Sequence, residues 1–242
     1  MRVYDPVIQR ILGVESERPL IYLLDGELEG DALGCFGDFH GEPAIRIGTE
    51  GLPKLRAVLV HELVHWNAMT TRWKTLPQGV QQGLAYWLQL DLVELLGRIR
   101  ASIDAPEREL VRGVLTLSDD ECDGETASSR YSAALWLIAW LGLPRLSALV
   151  ERAESEQVET VPAQWIEALL PDPLERVEFL PLQELAFYDS AGALLHTEIG
   201  TAAPAPLPAG ATSRQVRPLE LPAYDGERML FPGMSVSMPA PR

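Results

Sequence analysis

Residues 61–65 read His-Glu-Leu-Val-His, and no other stretch constrains the chain as much. Two histidines four apart on a helix lie one above the other on the same face. They can hold one metal ion from a single rigid element, with Glu62 beside that face to take a proton from water at the ion. Such a site needs a helix packed at the edge of a core. The flanking residues predict one over Pro53–Ala68. Pro53 suits a first helical turn. Leu55, Val58, Leu59, Leu63 and Trp66 recur at helical spacing as a buried stripe, with His61 and His65 beside it. Upstream, Pro43-Ala44-Ile45-Arg46-Ile47-Gly48 alternates as a half-buried strand does. The plain alternative is an amphipathic helix whose polar residues match the metal spacing by chance.

A catalytic zinc site uses three protein ligands and keeps one position open. Downstream, Leu76-Pro77-Gln78-Gly79-Val80-Gln81-Gln82-Gly83-Leu84-Ala85-Tyr86-Trp87-Leu88 resembles the second-helix motif of gluzincin peptidases, roughly Pro-x-Trp-x-x-Glu-Gly-x-Ala-x-Tyr. The resemblance spans approximately residues 18–152. It extends to Tyr131–Gly142, which is similar to a third apolar helix of that group that begins near a Tyr and ends in Gly. It implies a zincin-like fold and one zinc ion held by His61, His65 and the residue at position 82. It also implies Glu62 as general base, Tyr131 or Tyr86 steadying the oxyanion, and a peptide or protein substrate. For Tyr86, core packing one turn after Gln82 is the preferred expectation. The family's strand before the metal helix borders the cleft and pairs with extended substrate, which here implies an edge strand at Ala44–Ile47.

The family's third ligand is Glu, and this chain has Gln82 there. An amide oxygen brings no charge to a divalent cation, so the metal is expected to be weakly held. Three outcomes stay open: weak ligation by an active enzyme, replacement by another carboxylate, or a gluzincin-like protein that binds without cleaving. Asp91 and Glu94 are the next acids on that helix, and Asp91 points about half a turn away from Gln82. A ligand from a distant loop stays open, with His40, in a Gly-rich turn, one such candidate, but a histidine exposed to water is the expectation for it and for His196, in a C-terminal strand.

With 242 residues and 47% apolar content the chain can bury one sizeable core plus an appendage. A net charge of -15 without a basic patch argues against nucleic-acid binding. No run is read as approaching a membrane span, and Leu135–Leu141 is short. The first residues lack the apolar stretch of a signal peptide. With two cysteines, Cys35 and Cys122, no disulfide framework is indicated. The expectation is a reduced, cytoplasmic protein. Ser118–Glu125 concentrates five acids. As a calcium loop its last position is Arg130, which cannot ligate, so a solvated loop is expected.

Periodicity predicts helices over Val7–Leu12, Gln78–Arg98, from Pro106, from Tyr131 with a Ser128 or Ser129 cap, over Leu146–Arg152 and over Pro162–Leu170. A strand is predicted at Pro19–Leu24, a loop or hairpin at Leu28–Glu42, and two strands around Ser190-Ala191-Gly192. Thr201–Gly210 should be extended and mobile, and residues 211–242 show no strong period. The expected fold is α+β and zincin-like. A small mixed N-terminal sheet has an edge strand over the active-site helix, followed by a mainly helical part. The peptidase domain covers 1–175, and 176–242 form a β-hairpin and Pro-rich tail.

Overall fold

The computed structural model describes residues 4–26, 28, 33–94, 100–117, 124–201, 207–219 and 234–237. Cys122, most of the acidic Ser118–Glu125 stretch, the predicted helix end near Arg98 and parts of the C-terminal tail lie outside the described residues. The architecture is mixed α and β, with three three-stranded sheets among the described residues.

Helix α1 (Tyr4–Leu12) buries Tyr4, Ile8, Ile11 and Leu12, one stripe at helical spacing. The first sheet combines β1 (Leu20–Leu23), β2 (Gly34–Phe39) and β3 (Glu42–Ile47) in the order β1-β3-β2. β1 runs parallel to β3, and β2 forms an antiparallel hairpin with it. The two turn residues His40 and Gly41 have φ of 57° and 84°, as a primed two-residue hairpin turn requires. This topology corrects the expected edge strand: Ala44–Ile47 is central and paired on both sides. Ala44, Ile45 and Ile47 are fully buried. The edge strand against the metal-motif helix is β2, in the segment read from sequence as a loop or hairpin.

A 3₁₀ turn (Thr49–Lys54) containing Pro53 leads into α2 (Leu55–Met69). α2 is more central than one apolar stripe suggests. Val58, Val60, Leu63, Val64, Trp66 and Ala68 are all buried, packed among α1, the first sheet and α3 (Gln78–Gln89). Asn67, also buried, donates to Asp5 (3.1 Å) and to the Leu63 carbonyl (2.8 Å) and accepts from Ser16 (2.6 Å), tying α1 to α2. α3 ends at Gln89 and continues as one π-helical turn (Leu90–Glu94) rather than as a single helix.

After β4 (Arg100–Ile103) and α4 (Arg108–Leu115) comes the long helical stretch α5 (Gly124–Glu156), broken at Gly142 (φ 66°, ψ 163°) just before Pro144. The helix begins at Gly124, so Ser128 and Ser129 lie inside it and not at its start. Arg130–Glu156 is long and apolar enough to cross a membrane by length and composition, contrary to the sequence reading. Just over half of its most apolar window (56%) is buried in the fold. Glycines bring α3 close to its neighbours. A Cβ at Gly83 would meet the Ala134 carbonyl oxygen at 2.8 Å, and one at Gly79 would collide with the Val114 carbonyl.

The last part contains α6 (Ala163–Glu167), β5 (Val177–Phe179), β6 (Leu182–Tyr188), β7 (Leu194–Thr201), β8 (Ser213–Pro218) and β9 (Met234–Ser237). β6 and β7 are the two strands expected around Ser190-Ala191-Gly192. The remaining tail is not irregular throughout. β8 adds to β6, and β9 pairs with β4, so the chain beyond residue 176 supplies strands to two sheets.

Candidate metal centre between two helices

α2 carries His61 and His65 on one face, and their Nε2 atoms lie 3.1 Å apart. Two nitrogens each ~2.0–2.1 Å from one tetrahedral zinc stand about 3.3 Å apart, so the spacing matches a shared ion. It also matches a hydrogen bond. Both side chains are partly exposed, so the pair is not sealed in the core. Burial of the rings lowers their pKa values, to about 3 for His61 and about 4 for His65. The neighbouring His65 further depresses His61. Both imidazoles are neutral near pH 7, the form that binds metal.

The opposing wall is one face of α3, where Gln82, Tyr86 and Gln89 recur at i, i+4 and i+7. The Gln82 side chain is hydrogen-bonded with both histidines and opposes the depression of their pKa values. Gln81 turns the other way, its amide donating to the Leu76 carbonyl at 2.8 Å. Gly83 lets the α3 backbone close on Ala134 of α5, which seats this wall. The Tyr86 ring lies edge-on to His61 with centroids 4.5 Å apart, and Tyr131 of α5 packs against Tyr86 at 4.6 Å. Tyr86 thus packs on His61, and Tyr131 packs on Tyr86. Gln89 brings its side chain to His61, whose Nδ1 is buried without a partner of full hydrogen-bond geometry.

Glu62 lies beneath the edge strand β2 and is 6% exposed. Burial raises its pKa to about 7, and a hydrogen bond with the Phe36 backbone pulls it back. The strand pairing explains this bond. Asp38 faces Pro43, which has no N–H, so Gly34, Phe36 and Asp38 turn their backbone groups away from β3. The free-edge N–H of Phe36 is therefore aimed at the carboxylate. Gly34 permits this approach, because a Cβ there would strike Val58 and come within 3.2 Å of the Glu62 side chain. Beside it, burial raises the pKa of Cys35, with Arg46 lowering it and Glu62 adding to the rise.

Comparison with protein-family models, curated proteins and solved structures finds no match.

What these residues can do chemically follows from their own geometry. His61, His65, Gln82, Tyr86 and Tyr131 form one assembly, with Glu62 adjoining it on α2. The other candidates stand apart from it. His40 is exposed in the β2–β3 turn, its ring tilted against Phe39 with centroids 4.1 Å apart. His196 stacks on Phe187 at 4.7 Å in the third sheet. The Asp91 carboxylate accepts the Leu182 N–H at 3.2 Å, and burial raises its pKa to about 8. No group of three His, Cys, Asp or Glu side chains able to hold a metal occurs among the described residues. The donor set is thus two imidazoles and one neutral amide, which fits a weakly held zinc. Sequence reasoning missed the Phe36 N–H and Gln89. Gln89 had a signal in its spacing of seven from Gln82; Phe36 had none.

Proposed function

We propose that this chain is a zinc-dependent peptidase, with His61, His65 and, more weakly, Gln82 holding the ion. The Nε2–Nε2 spacing of 3.1 Å carries the reading. When bound, zinc supplies a Lewis acid that polarises the scissile carbonyl and acidifies water. Glu62 accepts the proton of the attacking water and passes it to the leaving amine. Its pKa of about 7 suits both steps. The Phe36 N–H holds the carboxylate at the free edge of β2. Tyr131, which packs on Tyr86, is the candidate for steadying the developing oxyanion. The edge of β2, rather than β3, offers backbone groups to an extended peptide. Cleavage of an unfolded protein substrate tests this: a chelator should stop it, zinc should restore it, and Glu62→Gln should not support it.

A second reading is favoured by one observation. The Nε2 atoms of His61 and His65 already lie within hydrogen-bond distance, Gln82 bonds with both rings, and no anionic ligand joins them among the described residues. In that reading the chain is a gluzincin-like binding protein that takes up peptide without cleaving it. It predicts protein that purifies and folds without zinc and shows no chelator-sensitive hydrolysis.

A further inference from the structure

The two faces of the His61 ring nitrogens are not equivalent. Nε2 faces His65 at 3.1 Å, while Nδ1 is buried and lacks a partner of full hydrogen-bond geometry. A buried N–H left unmade is costly, so the proton on this ring goes where an acceptor can meet it. Gln89 is 4% exposed and sits two helical turns beyond Gln82 on the same face of α3. Its side chain bonds with the His61 ring, and Nδ1 is the ring nitrogen that His65 leaves without a partner. We propose that Gln89 is a positioning residue that accepts the Nδ1–H of His61 and so holds Nε2 bare. In the metal-free chain His65 then donates its Nε2–H to that bare nitrogen. Both requirements are met by one arrangement: a proton on Nδ1 of His61 and one on Nε2 of His65.

The consequence for catalysis rests on the proposed zinc reading, because a ligating histidine needs one bare nitrogen with its other N–H held by an acceptor. Loss of Gln89 should then weaken zinc or cobalt binding about 10–100-fold. The inference itself is read on metal-free protein, independently of zinc and of activity.

Proton–nitrogen correlation spectra of protein labelled at the histidine nitrogens report each tautomer, and the chain has only four histidines to assign. Near neutral pH, native His61 should carry its proton on Nδ1. Gln89→Leu removes the acceptor and should move most of the His61 population to the Nε2–H form, with His40 and His196 unchanged as a control on folding. Gln89→Glu keeps an acceptor and should retain the Nδ1 proton with a larger downfield shift. Native His61 found as the Nε2–H tautomer would overturn the assignment. So would a Gln89→Leu spectrum like the native one or, should that variant not fold, a Gln89→Glu spectrum with the Nδ1 proton unshifted. If the tautomer pattern holds while no zinc binds, the peptidase reading falls and the role of Gln89 stands.

Discussion

The carboxylate of Glu62 is held by the backbone N–H of Phe36, on the free edge of the first sheet. This bond joins the metal-motif helix to the strand that borders it, and it places a carboxyl with a pKa of about 7 beside two histidines.

Glu62→Gln keeps the shape and removes the proposed base. Hydrolysis should fall about 10²–10⁴-fold, the usual weight of a positioned acid–base group. Zinc affinity should stay within a few-fold of native, since Glu62 is not placed as a ligand. Parallel rate and chelator-competition measurements check both halves. A variant that loses affinity and rate together would move Glu62 into the ligand set.

Gln82→Glu places a charged oxygen opposite the histidines. It should tighten zinc by at least tenfold, because a carboxylate neutralises part of the ion's charge at close range. Gln82→Ala should loosen it. Unchanged affinity in both variants would remove position 82 from the ligand set.

Much of this site was legible because its spacing is local. His61 and His65 share a face by helix geometry alone, and the Gly83-Leu84-Ala85-Tyr86 run set Gln82 in register with them. The contacts that support the site were not legible. β2 begins Gly34-Cys35-Phe36-Gly37, which lacks the β-branched residues that mark a strand, so the sequence leaves loop and hairpin both open there, and the structure decides for the hairpin. Its neighbour β3 alternates like a half-buried strand yet is paired on both sides, because alternation reports the two faces of a strand and not its two edges. β8 reads Ser-Arg-Gln-Val-Arg-Pro and is mostly exposed, so it has no apolar period to detect. Asn67 and Asp5 meet across 62 residues, a distance no local pattern spans.

Gly83→Ala tests the close approach that seats the α3 wall. With the Ala134 carbonyl oxygen 2.8 Å from the added Cβ, α3 must move away from α5. A loss of about 1–3 kcal/mol is expected, read from urea denaturation. The helix-favouring change to Ala offsets about 1 kcal/mol at most. A more stable variant would show that the two helices do not meet at this point.

Asp91 makes stability depend on pH. The unfolded chain releases this proton near ~4, while the folded chain holds it to about 8. Between these values the folded state binds more protons. The stabilising contribution is therefore complete below ~4, declines as pH rises, and is lost once pH passes about 8. The slope is at most about 1.4 kcal/mol per pH unit. Asp91→Asn should flatten the difference in stability across this window while keeping an acceptor for the Leu182 N–H. Identical native and variant pH profiles would show that Asp91 ionises normally in the fold.

The central claim is that His61, His65 and Gln82 hold one zinc ion, and metal analysis tests it most directly. Protein brought to equilibrium with zinc by dialysis should retain one ion per chain above the level of the dialysate. A double His61→Ala, His65→Ala variant that remains folded should retain none. Native protein that retains no zinc, or the same amount of zinc in the double variant, would contradict it.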